Sequence, residues 1–151
     1  MDVERITLEP RVLVGLREVV PVAQMTDFFA RAFTAAADEL GSHGTEPAGP
    51  PIGLYRGDVT ETVDVTAGFP TRDRLEPSGD VVVVDLPTGP AVVAVHTGPY
   101  DAMERTYDEL LRWITENGLT GGHTMYEEYL TGPESGLEPA MWQTRIIYPL
   151  A

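Results

Sequence analysis

Two adjacent carboxylates, Glu127 and Glu128, lie among large side chains in the segment His123–Pro133, HTMYEEYLTGP. Neighbouring residues of a strand point to opposite faces of a sheet, so one carboxylate should face the core and the other water. A carboxylate beside aromatic rings costs free energy unless a partner compensates it. The sequence nearby supplies no obvious internal partner, and a bound cation would serve. Alternatively, both glutamates lie near a strand end and are hydrated.

Aromatic side chains near this segment could surround a cation, because their ring faces carry negative charge density. Strand parity places Tyr129 on the face of Glu127 and Tyr126 on the other face, unless a bulge intervenes. Trp142 and Tyr148 share one face of the last predicted strand and could form an aromatic wall. Ordinary core packing is the alternative for these two residues.

No metal-binding or cofactor pattern is recognisable in the sequence. The three histidines, His43, His96 and His123, lie in different predicted elements and lack the spacing of a metal site. The chain contains no GxSxG nucleophile motif, no phosphate-binding loop and no dinucleotide-binding glycine pattern. We therefore expect neither a metal nor a cofactor.

The composition predicts one compact globular domain. The chain has 151 residues, of which 42% are hydrophobic, enough to form a core. No apolar run approaches the roughly 18 residues of a membrane span, and the N-terminus lacks a signal-peptide pattern. Cysteine is absent, which excludes disulfides and a cysteine nucleophile. These features predict a cytoplasmic protein without a membrane partner.

The chain is strongly acidic. Ten arginines and no lysines stand against 24 acidic residues, which gives a net charge of −14. Because no basic patch is present, we do not expect direct binding to nucleic acid through its phosphates. The acidity favours cationic partners, although a role in solubility alone would also explain it.

Hydrophobic periodicity predicts an α+β fold. An extended segment over Ile6–Val20 leads into an amphipathic helix from Gln24 to Leu40, which Gly41 is placed to end. A second helix follows Pro99. Further strands are predicted at Ile52–Arg56, Thr62–Phe69, Asp80–Leu86, Ala91–His96, His123–Leu130 and Met141–Leu150, with 81–86 and 91–96 able to pair as a hairpin.

The order strand, proline, helix, glycine, loop, strand, turn, strand occurs twice, over about 1–78 and about 79–151. Each repeat is too small to bury its own sheet and helix, so we expect a single domain over residues 1–151. The predicted architecture is a tandem, pseudo-two-fold pair of strand–helix–strand–strand units, with antiparallel sheets, two long helices and a central cleft. Tyr55 and Phe69 of the first repeat could line the wall of the cleft opposite Trp142 and Tyr148.

Five phrases follow one another in a specific order, all of them after residue 80. They are Leu86-Pro87-Thr88-Gly89 followed by Ala94-Val95-His96-Thr97-Gly98-Pro99-Tyr100, Leu110-Leu111-Arg112-Trp113 with Asn117-Gly118, Glu127-Glu128-Tyr129, and Thr144-Arg145-Ile146 with Tyr148-Pro149-Leu150. Together they resemble the GyrI-like effector-binding family, which forms the ligand-sensing part of AraC-type and MerR-type multidrug regulators and also occurs as stand-alone proteins.

The resemblance implies paired units around a cleft, ligands that are aromatic, amphiphilic and often cationic, and Glu127 as the carboxylate that pairs with the ligand. Arg145 departs from the family pattern, in which an acidic residue often follows the threonine of the last strand. That departure implies an altered preference for ligand charge. Regulators of the family carry a separate helix-turn-helix domain, for which this sequence has no room, so direct DNA binding is not expected.

Two functions fit these observations. The favoured prediction is a stand-alone cytoplasmic protein that binds small hydrophobic or cationic aromatic ligands through Glu127, Trp142, Tyr55, Phe69, Tyr148 and Tyr129. The alternative, which the resemblance also implies, is a hydrolase of reactive aromatic natural products or drugs. In that case Glu127 would activate water and Tyr129 would polarise the reacting oxygen. Binding is favoured because no catalytic pair is evident.

Overall fold

The computed structural model describes residues 2–132 and 135–151, so Pro133, the last residue of the predicted His123–Pro133 segment, lies outside the described residues. The strands are Val3–Leu8 (β1), Val12–Pro21 (β2), Ile52–Arg56 (β3), Thr62–Thr71 (β4), Val82–Asp85 (β5), Gly89–Thr97 (β6), Thr124–Thr131 (β7) and Gln143–Pro149 (β8). The α-helices are Met25–Ser42 (α1) and Met103–Glu116 (α2), and one-turn 3-10 helices cover Val22–Gln24, Tyr100–Ala102 and Pro139–Met141.

These strands form one eight-stranded antiparallel sheet in the order β1-β6-β8-β7-β3-β4-β2-β5 across the described residues. The six inner strands are symmetric about the β7–β3 pair, because β6-β8-β7 on one side matches β2-β4-β3 on the other. Each half of the chain contributes one strand, one long helix and two further strands to this arrangement. The predicted α+β fold with repeated strand–helix–strand–strand units is therefore confirmed.

The outermost strands cross between the two halves. Strand β1 precedes β2 in the chain but pairs with β6, and β5 precedes β6 but pairs with β2. The predicted hairpin between 81–86 and 91–96 is therefore wrong, because β1 and β8 occupy both edges of β6. The predicted extended segment Ile6–Val20 is two strands, since the chain leaves β1 at one edge of the sheet and enters β2 near the other.

Both helices pack on one face of the sheet. Phe28 and Ala32, four residues apart on α1, are buried against Val65 of β4 and its neighbours. Leu110 and Ile114, four apart on α2, are buried in a second cluster with residues of β6 and β8. The apolar stripes of the two helices therefore cover the two halves of the sheet separately and leave the β3–β7 seam between them.

The other face of the sheet is also apolar. Its buried cluster includes Leu13, Leu54, Tyr126 and Ile147 and contains no residue of α1 or α2. Antiparallel sheets commonly expose one face to water, and such a face is normally polar. This helix-free face therefore differs from the polar face that an antiparallel sheet normally turns to water.

Helix α1 ends later than the sequence predicts. Gly41 lies inside the helix, which continues to Ser42, so the prediction that Gly41 ends it is wrong. The turn that follows uses Gly44, whose φ of +63° lies in the left-handed region that favours glycine. The helix therefore continues one residue beyond the first glycine.

Within residues 2–132 and 135–151, no helix is long and apolar enough to span a bilayer.

Candidate ligand-binding site

A cavity of about 650 Å³ lies on the helix-bearing face, over the seam between β3 and β7. Four of the predicted site residues line it together: Tyr55, Phe69, Glu127 and Tyr129. Its other lining residues come mostly from the start of α1 and the segment entering α2, and they are Met25, Thr26, Phe29, Phe33, Pro51, Tyr100 and Met103.

Glu127 is the acidic residue of the cavity and is only 7% exposed. Three tyrosine hydroxyls donate hydrogen bonds to its carboxylate. The Tyr129 hydroxyl lies 2.7 Å from Oε1 and the Tyr55 hydroxyl 3.2 Å from the same oxygen, while the Tyr107 hydroxyl donates to Oε2. The expectation that the nearby sequence supplies no obvious partner is therefore wrong, because Tyr129 lies two residues along β7. The other two partners come from β3 and α2, far away in the sequence.

Burial sets the titration of this cluster. Desolvation raises the pKa of Glu127, and the hydrogen bonds from the three tyrosines oppose the rise without cancelling it. Burial, together with the nearby Glu127 charge, raises the pKa of Tyr55, Tyr107 and Tyr129 well above the usual value for tyrosine. The phenols therefore stay protonated at neutral pH and remain donors.

A glycine makes room for this arrangement. Gly53 on β3 is paired directly with Glu127 on β7. A Cβ atom at Gly53 would lie 2.7 Å from the Tyr129 hydroxyl and 3.1 Å from the Phe29 ring. A side chain there would displace the tyrosine from the carboxylate, so the small residue on β3 is part of the site.

Aromatic rings form the walls of the cavity around the Glu127 carboxylate. The centroid of Tyr129 lies 5.8 Å from that of Phe29, 6.3 Å from that of Phe33 and 6.0 Å from that of Tyr100, all edge-on. Phe33 in turn lies 5.9 Å from Phe69. The cavity thus combines one buried negative charge with several ring faces, which is the environment that attracts an organic cation.

Trp142 and Tyr148, the predicted aromatic wall, are not among the residues that line the cavity. Trp142 stacks at a tilt on Tyr100, with centroids 5.3 Å apart, and its indole N–H donates to the Leu137 carbonyl at 3.1 Å. Tyr148 packs in the cluster beneath α2 and lies close to Gly121. Tyr148 is thus packed against the core, which was the alternative prediction. Trp142 contacts Tyr100, which lines the cavity, but does not line the cavity itself.

Sequence reasoning missed the role of Tyr107. Its spacing from Met103, Leu110 and Ile114 puts it on the buried face of α2. Helical spacing does not show which strand lies beneath each turn of the helix. Its contact with Glu127 depends on how α2 crosses the sheet. The one available signal was a polar hydroxyl on an otherwise apolar helix face, which calls for a partner when buried.

Glu128 points to the opposite face, as parity predicts, but the prediction that it faces water is wrong. It is 5% exposed and lies between two guanidinium groups, with Arg145 Nη1 3.3 Å from Oε1 and Arg11 Nη2 3.8 Å from Oε2. Arg145 therefore pairs with Glu128 on the helix-free face. It does not contribute a charge to the aromatic cavity.

The chemistry of the cavity suits an organic ligand. No group of three or more His, Cys, Asp or Glu residues that could hold a metal ion occurs in the described parts of the chain. Glu127 stands alone as a carboxylate among the described lining residues, amid rings and thioethers. Such a site offers one ionic contact and a large apolar contact area.

Comparison with known proteins identifies the fold. The sequence profile of the GyrI-like small molecule binding domain matches residues 1–151. No curated protein matches the chain by sequence.

Solved structures with the same fold are distant in sequence. EcmrR, in a cryo-EM structure of its DNA complex, is 20% identical with a TM-score of 0.80, and the match covers 99% of this chain and 57% of EcmrR. This chain thus spans little more than half of that protein. SAV2435 bound to tetraphenylphosphonium is 16% identical with a TM-score of 0.68, covering 100% of this chain and 94% of SAV2435. A hydrolase from Listeria innocua is 16% identical with a TM-score of 0.69, covering 99% and 91%.

Proposed function

This chain belongs to the GyrI-like small molecule binding domain family, and on that premise we propose that its aromatic cavity binds lipophilic organic cations. The observation that carries the proposal is the buried carboxylate of Glu127 at the end of an aromatic cavity. Charge pairing is stronger in such a site than in water, and the surrounding ring faces add cation–π attraction.

The hydrogen bonds of Glu127 favour a particular class of cation. A carboxylate has about four acceptor positions, and the hydroxyls of Tyr55, Tyr107 and Tyr129 occupy three of them. Little acceptor capacity remains for an N–H donor on a ligand. We therefore expect a preference for cations whose charge is spread over or shielded by apolar groups. The phosphonium cation bound by SAV2435 is of this kind, which supports the proposal.

Fluorescence anisotropy of rhodamine 6G, a cationic aromatic dye, tests this function. Glu127→Gln should weaken binding by about 1–3 kcal/mol, since it removes the buried charge opposite the dye. Glu128→Gln is the matched control, because it makes the same change at the next residue on the opposite face of the sheet. An unchanged affinity in Glu127→Gln, or an equal loss in both variants, would exclude Glu127 as the ligand carboxylate.

Hydrolysis is the second candidate, and one observation favours it. Burial raises the pKa of Glu127 towards the range of a general base. However, its three neighbouring hydroxyls already donate to Glu127, and so are not available to stabilise charge that develops on a substrate. Incubation with ester-bearing and strained-ring aromatic compounds, followed by mass spectrometry, tests this function: product formation that Glu127→Gln abolishes would establish it.

Cytoplasmic location and the lack of direct nucleic-acid binding stay predictions from composition and charge.

A further inference from the structure

We infer that the helix-free face of the sheet carries a second ligand site, separate from the aromatic cavity, which binds small apolar monocarboxylates. A cavity of about 650 Å³ lies on this face, beside the edge strand β1. Its residues belong to β1, β6, β7 and β8, together with Asp2 just before β1 and Arg11 from the β1–β2 connection. None of them lines the aromatic cavity on the other side of the sheet.

The charged end of this second cavity is the group Arg11–Glu128–Arg145. Glu128 is buried between the two guanidinium groups, one at 3.3 Å and the other at 3.8 Å. Two positive charges around one carboxylate leave a local excess of one positive charge. The side chains of Arg11 and Arg145 are 26% and 45% exposed, so both reach the cavity surface.

The two arginines have unused donor capacity. Each guanidinium has five N–H donors in a planar fork that fits a carboxylate. The closest approaches of Glu128 to the two arginines, 3.3 Å for Arg145 and 3.8 Å for Arg11, are both longer than a close charge-assisted hydrogen bond. The Arg11 guanidinium also interacts with the Tyr126 hydroxyl, which leaves further N–H groups on both side chains. A carboxylate on a ligand can therefore bind to the same pair of guanidinium groups without displacing Glu128.

The rest of the cavity is suited to an apolar body. Val93, Val95 and Ile147 form a strip beside Arg145, and Ile6 on β1 borders it. Val95 is 43% exposed, although it lies on a cavity-lining face among apolar neighbours. Alternate residues of a strand lie about 6.7 Å apart, which is the distance from Val95 to Val93 along β6. An apolar chain or ring whose carboxylate is bound by the arginines can lie along this strip, directed away from them.

Acidic residues at the rim limit the charge of the ligand. Asp2, which precedes β1, and Glu4 on β1 border the strip on the side away from Arg145. A second anionic group placed over the strip would approach these carboxylates and be repelled. The site therefore selects a monocarboxylate over a dicarboxylate.

Titration of octanoate and 2-naphthoate into the 15N-labelled full chain, followed by amide NMR shifts, tests this site. Both acids should shift amides of β6 and β8 near Arg145, whereas octylammonium and octanamide should not. Arg145→Gln should raise the Kd for octanoate at least tenfold, with Arg11→Gln showing a smaller loss. Glu128→Gln should lower the Kd two- to tenfold, because it frees both guanidinium groups from their resident carboxylate.

Opposite effects of Glu128→Gln and Arg145→Gln distinguish binding from a merely structural role, because loss of a structural ion pair would weaken binding in both variants. Rhodamine 6G should neither displace octanoate nor lose affinity in Arg145→Gln, which also shows that this variant is folded. The inference is overturned if octanoate shifts no amides near Arg145, if octylammonium shifts those same amides equally, or if rhodamine displaces the acid. Since octanoate is observed directly, failure of rhodamine binding would refute the proposed function and leave this site standing.

Discussion

Glu127 is a buried carboxylate that accepts hydrogen bonds from three phenols. The hydrogen bonds from the phenols lower the pKa of Glu127, but burial outweighs them and the pKa stays above the ordinary value. The folded protein therefore binds this proton more tightly than the unfolded chain does. The contribution of Glu127 to the free energy of unfolding consequently falls as pH rises from the pKa of the unfolded chain through the higher pKa of the folded protein.

Cation binding should show the opposite dependence on pH. Only the ionised carboxylate attracts a cation, so affinity for rhodamine 6G should fall as pH falls through the pKa of Glu127. Tyr107→Phe should move the midpoint of this loss to higher pH, because it removes a hydroxyl that lowers the pKa of Glu127. Dye binding measured across about pH 4 to 8 gives the midpoint.

Tyr148→Phe is the matched control, since Tyr148 also packs beneath α2 but makes no hydrogen bond with Glu127 within the described residues. Its midpoint should equal that of the unmodified protein. A midpoint that stays fixed or moves down in Tyr107→Phe would contradict the assigned hydrogen bond.

Individual side chains mark where the sequence is informative about this site. Strand parity separates Glu127 from Glu128 and puts Tyr129 beside Glu127, because alternation is a local property of any strand. The burial of Glu128 and the role of Tyr107 were not predictable in this way. Both depend on side chains that other elements bring across the sheet, Arg11 in one case and α2 in the other.

Two glycines allow strands β2 and β4 to approach each other closely. Gly15 and Gly68 face each other in the register of these strands. A Cβ atom on Gly15 would lie 1.9 Å from the Ala67 carbonyl oxygen, and one on Gly68 would lie 1.9 Å from the Val14 carbonyl oxygen. Backbone atoms cannot move aside as a flexible side chain can, so both positions require glycine.

Gly15→Ala should therefore lower the free energy of unfolding by about 2–4 kcal/mol, measured by urea denaturation. Gly41→Ala is the matched control, because Gly41 lies inside α1 and a Cβ there would meet no atom within 4 Å. That change should raise the free energy of unfolding by about 0.5–1 kcal/mol, since alanine is the better helix former. A Gly15→Ala protein as stable as the unmodified chain would refute the close approach of the strands.

The elements also show why their pairing was harder to predict than their existence. The strand at Ile52–Arg56 has the predicted bounds, since its pattern is local. The partner of β5 is β2, more than sixty residues earlier, whereas proximity in sequence favoured β6. Nothing in the local pattern of valines distinguishes those two edges.

The exchange of β1 and β5 joins the two halves of the chain. Each half supplies the strand that covers an edge of the other, and the β3–β7 pair joins them at the centre. The carboxylate of Glu127 lies at this central pair and takes hydroxyls from both halves, Tyr55 from the first and Tyr107 and Tyr129 from the second. The hydrogen-bonded site around Glu127 is therefore complete only when the two halves have assembled.

Fragments 1–78 and 79–151 should consequently be unfolded alone and recover native circular dichroism when mixed. A cut after Ser78 keeps the hydrogen bond from its hydroxyl to Glu39, at 2.8 Å, within the first fragment. Recovery of rhodamine 6G binding in the mixture would report assembly of the cavity. Cooperative thermal unfolding of either fragment by itself would show that the strand exchange is dispensable.

The central claim is that the charge of Glu127 recognises the charge of the ligand. Calorimetric titration with tetraphenylphosphonium and with neutral triphenylphosphine oxide, each into the unmodified protein and Glu127→Gln, tests it most directly. The substitution should weaken binding of the cation by about 1–3 kcal/mol and change that of the neutral compound by less than about 0.5 kcal/mol. Equal losses for the two ligands, or no loss for the cation, would contradict the claim.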